Sequence, residues 1–193
     1  MPDALPFVLM SLSLLLTPGP TNTLLAVGGA AAGLRRAWPL VPAELAGYFA
    51  AIHLYAFLLG PLVQQSPLAQ GVLRLVLALY IFWLAARLWQ SEMAPLPHQT
   101  VTPARIFLVT LLNPKALVFT FVVLPPLAGQ WAAALPWLGA LAAMILLASA
   151  SWIGLGAAIA RGRILRPHLI PRTGAIVLAG FALVMLLGLA RQG

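Results

Sequence analysis

Long apolar stretches limit this chain more than any other feature. A helix needs roughly 20 apolar residues to cross about 30 Å of hydrocarbon. Six stretches reach that length, at about residues 4–27, 39–62, 68–90, 105–127, 132–160 and 171–190. With 62% of residues hydrophobic, 7% charged and only 3 acidic, the chain has too little polar surface to cover a water-soluble globule. A backbone in lipid must satisfy its own hydrogen bonds. The expected fold is therefore all-α: a polytopic membrane protein with six transmembrane helices, forming one transmembrane domain over residues 1–193.

The formal net charge of +8 follows from arginines in the short loops. Arg35 and Arg36 follow the first span, Arg87 and Arg105 flank the third loop, and Arg161, Arg163, Arg166 and Arg172 occupy the fifth. All lie on one side. The positive-inside rule puts that side in the cytoplasm and both termini outside, in the periplasm. No basic domain lies outside the membrane, which argues against nucleic-acid binding. The densest run, "RGRILRPHLIPR" from Arg161 to Arg172, is expected to face anionic lipid. The chain has no cysteine, so disulfides, thiol redox chemistry and thiolate metal sites are excluded. Asp3 and no basic residue precede the first apolar stretch, so this stretch is expected to stay in the mature protein.

The longest polar segment, "QSEMAPLPHQTVTPAR" from Gln90 to Arg105, separates three spans from three. It divides the chain into a first half (1–90), a linker (91–104) and a second half (105–193). An odd number of spans per half turns the halves over relative to one another, so similarity between them would be an inverted repeat. Each half opens on a helix broken by proline: "TPGPTN", Thr17 to Asn22, and "LLNPKALVF", Leu111 to Phe119. Paired interruptions of this kind point to a transporter's substrate site, because unpaired backbone at membrane depth is tolerated only beside protein or a wet cavity.

Asn113 before Pro114 has the order of an N-cap and a first helical residue. Thr17 with Pro18, or Gly19 with Pro20, offers a similar restart, and Gly19 permits dihedral angles closed to other residues. Amide groups at two such half-helix starts would suit a carboxylate, with Thr17, Thr21 and Asn22 adding neutral hydrogen-bonding groups. Lys115 is the only lysine. About ten residues into its span at about 1.5 Å each, it lies roughly 15 Å deep. Glu44 is the only carboxylate within a span, at a depth of roughly 8 Å. The two can pair if the second and fourth spans touch. The alternative is that Lys115 caps carbonyls freed by the break while Glu44 faces water at the entrance.

Other polar and aromatic residues have plainer expectations. Arg74 snorkels outward, and His53 is packed and hydrogen-bonded. Trp38, Trp89, Trp131 and Trp137 anchor the interfaces. Tyr48, Tyr80, Trp83 and Trp152 sit deeper and pack or line a cavity. "GLGAAIARG", Gly154 to Gly162, permits close helix contact.

These motifs resemble the lysine exporter (LysE/RhtB) family of amino-acid efflux proteins. The likeness rests on "TPGPTNTLLAVGGAAAGLRR" from Thr17, "LLNPKALVFTFVVLP" from Leu111, and "LRLVLALYIFWLAARLW" from Leu73, which carries Arg74 and Tyr80. It implies a six-helix inverted-repeat transporter of the bacterial inner membrane, exporting amino acids or derivatives by proton antiport. Residue by residue, it points to Pro18, Gly19, Pro20, Asn22, Asn113, Pro114 and Lys115. The sequence departs from the family pattern at Ala43 and Glu44 before Gly47, and at Leu77, so Glu44 is placed to tune substrate choice. The expected partners are a small-molecule substrate, a proton and the lipid bilayer; a homodimer is compatible with so small a carrier. No cofactor and no metal is expected. The rival readings are export of inorganic cations and a non-transporting membrane subunit; an enzyme is not expected, since no acidic pair or serine with a neighbouring base is present.

Overall fold

A computed structural model describes residues 4–90, 101–124, 131–162 and 169–190. All regular structure in these segments is helical. The elements are α1 (Ala4–Leu16), α2 (Pro20–Ala37), α3 (Leu40–Gln65), α4 (Pro67–Gln90), α5 (Pro103–Leu111), α6 (Lys115–Val118) running into a π-helical turn (Phe119–Val123), α7 (Trp131–Ala160) and α8 (Leu169–Ala190).

Three segments, Leu40–Val63, Pro67–Arg87 and Ala132–Ala160, are each long and apolar enough to cross a membrane. Two bent pairs match that length only when taken together: α1 with α2, bent by 60°, and α5 with α6 and its π turn, bent by 55°. Both bends fall at the prolines. An amide at position i normally donates to the carbonyl at i−4, and proline has no amide hydrogen. Pro18 and Pro20 thus remove the donors for Leu14 and Leu16, and Pro114 removes the donor for Thr110. In α8 the apolar stretch is shorter, Ala175–Val184.

Some expected boundaries move. Helix α2 continues beyond the first apolar stretch to Ala37, with Arg35 and Arg36 in its last turn. Pro103 and Ala104 belong to α5 rather than to the linker, because Thr102 caps this helix, its Oγ1 accepting from Arg105 N at 3.2 Å. Arg172 lies inside α8, not in the preceding loop. Trp137 is half-buried and packs edge-on against Phe7, ring centroids 4.8 Å apart. Linker residues 91–100, Arg163, Arg166 and the side chain of Trp131 lie outside the described residues.

Among the described residues, two apolar clusters are buried. The larger gathers Phe7, Leu14, Tyr48, Ile81, Phe119, Leu141 and Leu178. The smaller joins Leu25, Val41, Ile106 and Ile153. The most extensive contacts are those of α2 with α7, α4 with α8 and α3 with α5. Outward-facing Phe57, Phe82, Leu147 and Ile176 are exposed apolar side chains, which suits contact with hydrocarbon rather than water.

Two glycines set the closest approach. A Cβ on Gly29 would overlap the backbone of Ile153, and one on Gly156 would overlap that of Ala26. The contact is reciprocal, so α2 and α7 touch backbone to backbone. Gly156 meets the close-contact expectation for "GLGAAIARG", whereas Gly154 has nothing within 4 Å. Gly33, with φ 76° and ψ 168°, lets the chain kink inside α2.

Candidate functional site

The two breaks meet in the interior. Lys115 reaches from the second break to the first, where its Nζ donates to Leu14 O at 2.9 Å and to Thr17 O at 2.7 Å. The first of these bonds replaces the amide that Pro18 lacks. Asn22 Nδ2 donates to Leu15 O and to Thr17 O, both at 2.7 Å. Trp152 Nε1, from α7, donates to Leu15 O at 3.2 Å. Three side chains from three helices thus serve the carbonyls at the end of α1. Gly19 makes room for the lysine, since a Cβ there would lie 3.1 Å from Nζ.

The second break is satisfied in a similar way. Asn113 Oδ1 accepts from Lys115 N at 3.0 Å, and its Nδ2 donates to Thr21 Oγ1 at 3.3 Å. Thr110 Oγ1 also donates to Thr21 Oγ1, at 3.3 Å. Tyr55, from α3, donates to Leu111 O at 3.4 Å. Asn113 N takes up the Thr110 carbonyl at 3.0 Å. Thr17, Thr21, Asn22, Asn113 and Lys115 are all buried, while Pro18, Gly19 and Pro114 are half-buried and Pro20 is exposed.

This geometry decides between readings that the sequence leaves open. At the first break the restart is at Gly19 and Pro20: α2 begins on Pro20, and Gly19 O accepts from Thr23 N at 2.8 Å. At the second break the amides are already used. Besides Lys115 N, Ala116 N donates to Asn113 O at 3.0 Å and Leu117 N to Pro114 O at 3.1 Å. The free amides expected at both half-helix starts are therefore not found at the second break.

Lys115 and Glu44 do not bond to one another. Lys115 turns to the α1 carbonyls, although each group lies within electrostatic reach of the other. Glu44 is 2% exposed, so it does not face water at an entrance. Its Oε2 accepts from Ser149 Oγ on α7, and Ser149 Oγ also lies 2.7 Å from Ile145 O. An isolated charge in the membrane interior is costly; the Ser149 hydroxyl meets this carboxyl group directly and Lys115 acts on it across space.

Residues outside this centre take the roles their surroundings dictate. His53 is exposed, its Nδ1 donating to Phe49 O at 2.7 Å. Trp83 is exposed and stacks beneath the Arg87 guanidinium, 5.2 Å from the ring centroid. Tyr48 packs edge-on against Phe119 at 5.6 Å. Thr110, Ser149, Trp152 and Tyr55 join the polar centre without having been singled out as site residues by sequence. The available signal was weak: Thr110 stands three residues before Asn113, and Ser149 is a polar residue deep in an apolar stretch.

A buried polar centre built from two proline breaks has a counterpart among known families. The family model described as "LysE type translocator" matches residues 12–190. The chain belongs to this family. Translocators of this type are membrane transporters associated with amino-acid efflux, not enzymes. The match covers both breaks, Glu44 and Ser149. Searches among curated proteins and among solved structures returned no match.

Proposed function

We propose that this translocator is a secondary transporter that exports amino acids or their derivatives across the bacterial inner membrane, by alternating access coupled to proton antiport. One observation carries the reading: the two breaks, half a chain apart, join in one buried knot in which Lys115 holds the carbonyls of Leu14 and Thr17. A lysine ammonium has three N–H donors, and these carbonyls occupy two. The third direction, with the start of α2 at Thr21 and Asn22, suits a substrate carboxylate. Glu44 serves the substrate ammonium or the coupling proton. Because the knot is buried, the carboxylate enters only when helices part, as alternating access requires.

The six spans form two inverted halves, residues 1–90 and 105–193, with both termini in the periplasm. Supporting this arrangement, each broken span packs against the middle span of the other half, α2 on α7 and α5 on α3. A homodimer is compatible with the reading and is not required by it.

Purified protein in liposomes, loaded with labelled amino acids, tests the function. Wild-type protein should release at least one class, and Lys115→Ala and Asn113→Ala should not. Normal rates in both variants would remove the breaks from the site. A screen for thermal stabilisation finds the substrate class, since a ligand at 100 times its Kd stabilises the folded state by about 2.7 kcal/mol.

A further inference from the structure

Apart from the knot at the breaks, the buried ionisable group that calls for an account is Glu44, whose carboxyl meets Ser149 on α7. Ser149 Oγ has a second neighbour, Ile145 O, at 2.7 Å. A serine hydroxyl carries one proton and can donate to one neighbour at a time, and a carbonyl has none to give. Each contact has a proton of its own only when the proton between Glu44 and Ser149 belongs to the glutamic acid. The chain then runs in one direction: Glu44 donates to Ser149, and Ser149 donates to Ile145. When the carboxyl group is ionised, the serine proton must turn to it. That turn leaves no orphan, because Ile145 O retains the amide that an α-helix supplies four residues on.

We propose that Glu44 and Ser149 form a proton-binding site separate from the helix breaks, in which the Ser149 hydroxyl reverses its direction as Glu44 gains or loses a proton. Ser149 is a positioning residue and Glu44 carries the proton. One proton binds the carboxylate or leaves it, no other bond is made or broken, and the hydroxyl hydrogen is the only other atom that must move. The location of the proton stands on this geometry; its use in export rests on the transport reading above.

The surroundings contain few competing groups. On α3 the neighbour is Tyr48, one turn from Glu44, with Tyr80 of α4 close enough to interact with it. Lys115 of α6 is within electrostatic reach. Helix α7 has no charged residue. Arg35 and Arg36 of α2, Arg105 of α5 and Arg87 of α4 are exposed near the helix ends, and Arg74 stands further along α4. The chain has only 3 acidic residues, so a carboxyl signal can be assigned by one substitution.

Infrared difference spectra of the purified full chain, taken across a pH titration, read the site without transport. The stretching band of a protonated carboxyl group should be lost in Glu44→Gln, shifted in Ser149→Ala, and returned to its place in Ser149→Thr. Ser151→Ala, at an exposed serine that donates to Leu147 O, should leave the band unmoved. If Ser149→Ala does not fold, Ser149→Cys, a weaker donor and acceptor, should shift the same band. A band that survives Glu44→Gln, or that stays put when Ser149 is replaced, overturns the proposal. In liposomes the pH profile of export should move in Ser149→Ala and return in Ser149→Thr. A wild-type chain that moves no substrate while the band behaves as stated would sink the transport reading and leave the proton site standing.

Discussion

Lys115 and Thr17 lie 98 residues apart in sequence, yet the ammonium of one donates to the carbonyl of the other at 2.7 Å. The same ammonium holds Leu14 O at 2.9 Å, where proline has removed the ordinary donor. Replacing Lys115 by Met keeps much of the volume and removes both bonds. A buried polar group left without a partner costs about 1–3 kcal/mol, so Lys115→Met should melt at lower temperature in detergent and should lose export in liposomes. Melting unchanged from wild type would show that the carbonyls do not depend on the lysine.

Asn22 and Lys115 share the Thr17 carbonyl, and that sharing makes their losses unequal. In Asn22→Ala alone, Leu15 O keeps Trp152 and Thr17 O keeps Lys115. Removing both side chains strands Thr17 O. The double substitution with Lys115→Met should cost more than the sum of the single ones, by about 0.5–3 kcal/mol. A double-mutant cycle by denaturation measures the difference; strict additivity would mean that the two donors act separately.

At Gly156 there is no room for a methyl group, because it would overlap the backbone of Ala26. Gly156→Ala must push α2 away from α7, and overpacking of that kind costs about 1–3 kcal/mol or more. Gly139→Ala is the control on the same helix, with nothing within 4 Å, and should be neutral or gain up to about 1 kcal/mol from helix propensity. Paired melting curves separate the two, and equal behaviour would refute the close approach.

Gly33 poses a conformational test rather than a steric one. Its φ of 76° with ψ of 168° belongs to a region that only glycine adopts readily, although the surrounding space is open. Gly33→Ala should cost about 1–3 kcal/mol, read as a lower melting temperature. Tolerance at this position would mean that the chain leaves α2 by another path.

The positions of both breaks were legible because proline acts locally: it deletes a known amide, and the carbonyl it orphans can be counted off the sequence. Asn113 and Lys115 were legible for the same reason, as polar residues beside such a gap. The replacement donors were not. That Trp152 serves Leu15, that Ser149 meets Glu44, and which of its two expected partners, carbonyls or Glu44, Lys115 takes all depend on which helix faces meet. Apolar helix surfaces carry weak instructions about their neighbours, since lipid tails are as apolar as the side chains they compete with. Helix α2 outlasts the apolar stretch because alanine after residue 27 suits a helix while adding little hydropathy.

Helices α2 and α7 are seated backbone on backbone through Gly29 and Gly156. At those two points there is no side chain between the helices, so any slip of one along the other must first open that contact. The first broken span is thus a stem fixed to its neighbour and an arm, α1, attached at Pro18 and Gly19. Any swing of the arm relative to the stem must pass through that elbow, which Lys115 holds by its bonds to Leu14 O and Thr17 O.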